Sequence, residues 1–150
     1  MDFQMEVLGE CLEEMKPLLK EHYKEVAMYQ DHIDLNPKYD LYQKMELGGY
    51  LSVFTARDQG RLVGYAIFFI DTHMHYQDHA YAVNDVLYID PEYRHEGRAV
   101  SFLDWIEKQL EKEVSVITYH MKIYKPFQSL MKYLQYDHAE HIYTKYVRKD

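Results

Sequence analysis

Apolar residues alternate at Phe3, Met5 and Val7 and then recur at Leu8, Leu12, Met15 and Leu19, so the chain opens with a short strand that passes into a helix. Pro17 falls inside the helical stretch and predicts a kink or a junction of two helices. A second helix, from about Pro37 to Leu47, is marked by Asn36 as its cap, Pro37 in its first turn and Gly48-Gly49 at its end. From Tyr50 the pattern becomes extended. YLSVFTAR, the tight turn Asp58-Gln59-Gly60 and RLVGYAIFFIDT predict a hairpin whose second strand, apolar almost throughout, belongs at the centre of a sheet.

HMHYQDH reads as a polar connector and AYAVNDVLYID as the next strand, ended by Asp90-Pro91. After YRHEGRA comes a helix with Ala99, Leu103, Ile106 and Leu110 on one face and Lys108, Glu111 and Lys112 opposite. VSVITY predicts a short buried strand, the stretch from about Pro126 to Tyr133 a short helix, and HIYTKYV a closing strand. Short connectors between the middle strands, with helical crossovers later, make the class α/β with a mixed sheet. No linker or repeat divides residues 1–150, which read as one domain.

Composition narrows the function classes. The chain carries a net charge of −8, and its excess of acid is concentrated early: residues 1–50 hold 5 Lys/Arg against 11 Asp/Glu, while residues 91–150 hold 10 against 9. Binding nucleic-acid phosphates needs many cations to displace counterions, so no nucleic-acid partner is expected. A single cysteine, Cys11, excludes an internal disulfide and a Cys-clustered zinc fold. No run approaches the roughly 20 apolar residues of a membrane span, and MDFQMEVLGE lacks a basic-then-apolar signal, so the expectation is a cytoplasmic protein without a membrane partner. The 16 tyrosines and 9 histidines suggest a wet cleft or a sticky surface.

The strongest chemical signal lies where the strand ending at Ile89 meets the helix starting near Arg98. A helix amino terminus presents unpaired N–H groups and roughly half a positive charge, which suits a phosphate. Gly97 and the small Ala99 allow close backbone approach, and Arg94 and Arg98 add cations. The run VLYIDPEYRHEGRAVSFLDWIEKQL resembles the central motif of the GCN5-related N-acetyltransferase (GNAT) family, an apolar strand followed by Arg/Gln-x-x-Gly-x-Gly/Ala. LVGYAIFF resembles that family's preceding strand, and LMKYLQY its closing Tyr-x-x-Leu-Gly-Phe segment in degenerate form. A looser resemblance is to small acetyltransferase-like proteins of tailed phages.

The resemblance implies a mixed, mostly antiparallel central sheet flanked by helices on both faces, and acetyl-CoA as cosubstrate, with no metal. It implies pyrophosphate on the backbone of His95, Glu96, Gly97, Arg98 and Ala99, helped by Arg94, and pantetheine lying beside Leu87, Tyr88 and Ile89. The acceptor would be a small amine or an exposed lysine, acetylated by direct transfer. Asp85, four residues before Ile89, matches the position of a glutamate in some members and is the candidate base; the other reading makes it a binding carboxylate. The family's usual proton-donating tyrosine falls on Met131, which leaves Tyr133, or Tyr124, as a substitute acid. His22, Glu25, His75 and Tyr76 are candidate acceptor contacts. His73, His75 and His79 cluster in the connector, yet no carboxylate-histidine helix motif completes a metal set. The alternative is a catalytically inactive module of the same fold that binds CoA or a host protein. Exposed edge strands rich in Tyr and Val suggest a homodimer.

Overall fold

The apolar run that the sequence places at the centre of a sheet is its third strand. In the computed structural model, which describes residues 1–95 and 97–149, five strands lie in the order β1-β2-β3-β4-β5. They are β1 (Asp2–Met5), β2 (Leu51–Asp58), β3 (Arg61–His73), β4 (Tyr76–Ile89) and β5 (Val116–Thr118). The first four pair antiparallel and β5 runs parallel to β4, so the sheet is mixed and mostly antiparallel. Helices α1 (Leu8–Val26) and α2 (Tyr39–Leu47) separate β1 from β2, α3 (Arg98–Leu110) crosses from β4 to β5, and α4 (Gln128–Tyr133) follows.

Alternation along β3 divides the core in two. Tyr65 and Ile67 meet Leu8, Cys11, Leu12 and Met15 of α1, while Ala66 and Phe68 meet Phe102, Ile106 and Leu110 of α3 on the other face. Each large side chain so buried contributes about 1.5–3 kcal/mol. α2 shares the face of α1 and is tied to it by Glu46, whose carboxylate accepts the Leu8 N–H at 3.0 and 3.1 Å. That contact satisfies a first-turn donor which Val7, the residue before α1, cannot cap.

Four expectations are corrected. α1 is unbroken across Pro17, because Leu8 to Met15 before it and His22 after it are both anchored to the sheet. α2 starts at Tyr39 and Asn36 does not cap it; Lys38, at φ −82° and ψ 67°, forms a tight turn in which the Tyr39 N–H donates to the Pro37 carbonyl at 3.0 Å. HMHYQDH is mostly strand, with His73 opposite Tyr76 and the His73 ring packed on Tyr76 and Tyr81 at 4.8 and 4.6 Å. HIYTKYV forms no strand: no helix or strand follows α4 among the described residues. Thr144 and Tyr146 instead meet Tyr29 and His32, at 2.9 Å between hydroxyls and 4.5 Å between stacked rings.

Candidate active site

The parallel pairing that joins β5 to β4 stops early. It covers only Tyr81, Ala82 and Val83, so from Asn84 to Ile89 strand β4 has β3 on one side and no strand on the other among the described residues. The Asp90 N–H donates to the Val63 carbonyl at 2.8 Å, which fixes the phase of the ladder. Leu87 and Ile89, out of phase with Asp90, therefore turn their main-chain groups to the open edge. One of those groups is taken, since Arg94 Nε donates to the Ile89 carbonyl at 2.6 Å. Leu87 and Ile89 place their side chains against the α3 core, and Tyr88 places its ring under α1.

A bulge interrupts β4 beside this edge. Ile67 pairs with Val86 and Phe68 with Asn84, leaving Asp85 without a partner on β3. Asn84, 3% exposed, holds the bulge: its amide donates to the Ile67 and Val86 carbonyls at 3.3 and 2.9 Å. The bulge re-aims Asp85 toward α2, where the Tyr42 hydroxyl donates to Oδ2 at 2.5 Å. Asp85 is exposed as a residue, yet desolvation of its carboxyl end raises its pKa above the usual carboxylate value, with the Tyr42 hydrogen bond acting the other way.

The junction from β4 to α3 is built from local chemistry. Asp90 accepts the Glu92 N–H at 3.0 Å and starts a single 3₁₀ turn over Pro91–Tyr93. Gly97 precedes α3 in the left-handed region, φ 70° and ψ 10°, where a glycine carries no Cβ penalty. Apart from its chain neighbours, a Cβ built there would meet nothing within 4 Å. Arg98 lies over the Tyr93 ring at 5.6 Å, Ala99 packs into the α3 core, and the His95 carbonyl accepts the Arg98 N–H at 3.2 Å. Glu96, included in the expected pyrophosphate loop, lies outside the described residues. A helix amino terminus with an open strand edge beside it fits a phosphorylated ligand with an extended arm.

Arg94, Glu25 and His22 converge at the end of α1. The Arg94 guanidinium forms a two-pronged pair with Glu25 at 2.6 and 2.7 Å and lies 5.2 Å from the Tyr88 ring centre. It thereby clamps the last turn of α1 to the end of β4 instead of pointing an open cation at a phosphate. The same hydrogen bonds hold Glu25 below the usual carboxylate range. His22 stacks on Tyr88 at 5.1 Å and its Nδ1 lies 2.9 Å from the Tyr65 hydroxyl.

Burial pushes the His22 pKa down to about 4. A folded-state value below the unfolded one of about 6.5 means stability that is complete above pH 6.5 and lost as pH falls toward 4. Between pH 7 and pH 5 the chain is expected to lose about 2 kcal/mol through this group alone. Urea unfolding of the wild type and His22→Gln at both values measures it: the variant should lack this increment, and equal pH slopes would contradict it.

The remaining candidates sit apart from Asp85. His75 lies in the β3–β4 turn and Tyr76 opens β4; His73, its partner, is five β3 residues from Phe68, the partner of Asn84, which puts Tyr76 roughly 17–20 Å from Asp85 along the sheet. Tyr133 is 72% exposed on α4, and Met131, at the family's tyrosine position, is buried at 7%. The Tyr124 hydroxyl donates to the Val26 carbonyl. Among the described residues, no three or more His, Cys, Asp or Glu side chains gather as a metal set would require. Two site residues went unread in the sequence. Asn84 had a signal, a polar residue inside an apolar strand; Tyr42 had none, being 43 residues from its partner.

Comparison with known proteins bears on this arrangement directly. The acetyltransferase (GNAT) family matches residues 12–139, whereas no curated protein matches the chain by sequence. Among solved structures, a ribosomal-protein-alanine N-acetyltransferase from Brucella melitensis biovar Abortus 2308 superposes with a TM-score of 0.66 at 19% identity, over 100% of both chains. A predicted acetyltransferase from Clostridium acetobutylicum, solved with acetyl-CoA, gives 0.69 at 12% identity over 97% of this chain and 95% of its own. The aminoglycoside N-acetyltransferase AAC(6')-Iy, in complex with CoA, gives 0.70 at 14% identity over 99% and 100%. At such identities the likeness is one of fold.

Proposed function

The chain belongs to the acetyltransferase (GNAT) family, a family of N-acetyltransferases, and from that premise we propose that residues 1–150 form one domain that transfers the acetyl group of acetyl-CoA directly to an amine, on a small molecule or an exposed lysine. The observation that carries this reading is the meeting, on one stretch of β4, of an open strand edge at Leu87 and Ile89, a helix start at Gly97 and a bulged carboxylate at Asp85. The neighbours' names include a ribosomal-protein alanine and aminoglycosides, so an amine acceptor is the shared chemistry.

The residues divide the work. Main-chain N–H groups of Gly97 and Ala99 receive the pyrophosphate, the Arg98 N–H being held by the His95 carbonyl, and the Leu87 and Ile89 edge receives the pantetheine arm. The Arg94–Glu25 pair holds the intervening loop against α1. Acetyl-CoA, when bound, supplies the activated acetyl group. An alkylammonium with pKa about 10.4 must lose a proton before it attacks, a penalty of roughly 4–5 kcal/mol at pH 7. Asp85 accepts that proton, directly or through water.

With Met131 buried and Tyr133 exposed on α4, the CoA thiolate takes its proton from Tyr133 or from solvent, and the second proton of the amine nitrogen is released to solvent. The same two placements favour a second reading, a module that binds CoA without turnover. Calorimetry with acetyl-CoA, followed by thiol release across a panel of amines and lysine peptides, separates the readings. Binding with amine-dependent thiol release is expected. Binding with no release from any amine supports the second reading, and no binding at millimolar acetyl-CoA overturns both.

A further inference from the structure

We propose that Tyr42 is a positioning residue for Asp85: its hydroxyl fixes one carboxylate oxygen and turns the other toward the incoming amine. The inference rests on Asp85 being the base. Three observations support it. First, the bulge leaves Asp85 without a strand partner, so the strand ladder does not orient its side chain. Second, the Tyr42 hydroxyl donates to Oδ2 at 2.5 Å, while Oδ1 carries no hydrogen bond among the described residues. Third, Tyr42 is itself held, with its ring 5.9 Å from Phe69 and its helix pinned to the start of α1 through Glu46.

The surroundings of the pair contain little else that titrates. From α2, Tyr39 faces Tyr42; from β3, the neighbour is the apolar Phe69; no cation is placed against Asp85 among the described residues. Desolvation with no counter-charge raises the Asp85 pKa above the usual carboxylate value. One short hydrogen bond to the ionised form offsets that tendency without blocking the second oxygen. Tyr42 keeps its own proton throughout, because burial and the adjacent carboxylate both raise its pKa. It therefore acts as a fixed donor and not as a second base.

The test reads the Asp85 carboxyl itself and needs no acceptor. Carboxyl ¹³C titration by NMR on the full chain is compared for the wild type and Tyr42→Phe, a change that removes only the hydroxyl. Losing a hydrogen bond to the charged form should raise the Asp85 midpoint by about one pH unit. In the wild type, the Tyr42 ring Cζ shift should titrate with the same midpoint as Asp85, a measurement that does not depend on the variant folding. An unmoved Asp85 midpoint, or a Tyr42 ring blind to it, overturns the proposal. Thiol release by Asp85→Asn at the wild-type rate would instead remove the base assignment, whatever the titration gives.

Discussion

Asp85→Asn is expected to lower kcat/KM for acetyl transfer by about 10²- to 10⁴-fold, the usual range for losing a general base, with acetyl-CoA affinity changed by less than about threefold. The separation follows from geometry. Asp85 occupies the bulge and points at α2, whereas the cosubstrate is assigned to the edge at Leu87 and Ile89 and the helix start at Gly97. An asparagine oxygen still accepts the Tyr42 hydroxyl, and the residue is exposed, so the thermal midpoint should shift by no more than a few degrees.

The wild type should also lose activity on the acid side, at a pH above the ordinary carboxylate range, because desolvation raises the Asp85 pKa and only the ionised form takes a proton. Rate measurements from pH 5 to pH 9, with whichever amine supports turnover, check both statements. A variant that matches the wild type at every pH would show that Asp85 merely lines the cleft.

What the sequence made legible was local. The left-handed glycine before α3, the Gln59-Gly60 turn and the apolar β3 each announce themselves within a few residues, through φ preference or hydrophobic period. What it hid was held by distant partners. Arg94 reads in the sequence as a cation open to phosphate because of its place between β4 and α3; the partner its guanidinium takes is Glu25, 69 residues away. Tyr42 belonged to an ordinary amphipathic helix until the bulge at Asp85 gave its hydroxyl an acceptor.

The tail misled for a related reason. Alternation at residues 141–147 is a pattern that suits a strand but does not create one without an edge to join, and β5 offers only three residues. One ring there, Tyr146, packs instead on Tyr29 and His32, after α1, while Tyr143 is 91% exposed. The polar-aromatic excess is therefore spread over several places, the Tyr119–Tyr136 pair among them. It also lies in the His22–Tyr65–Tyr88 stack beneath α1, in the ring cluster at the β3–β4 turn and in the tail contacts, and it does not line one cleft.

Gly97→Val is expected to weaken acetyl-CoA binding by roughly 100-fold, about 2.7 kcal/mol, which corresponds to one or two lost charge-assisted hydrogen bonds. At φ 70° a β-branched residue is strained by about 1–2 kcal/mol and drives the backbone out of the left-handed region, which turns the first N–H groups of α3 away from the pyrophosphate. The folded chain tolerates the added atoms, since a Cβ at this position meets nothing within 4 Å. Gly60 provides the matching control. It too has a positive φ, 84°, with open space at its Cβ, but it lies in the β2–β3 turn. Gly60→Val should thus be destabilised to a similar degree, read by denaturant midpoint, while its acetyl-CoA affinity by calorimetry stays at the wild-type value. Equal affinities for Gly97→Val and the wild type would mean that the start of α3 does not receive the pyrophosphate. Equal losses in both variants would assign the effect to stability alone.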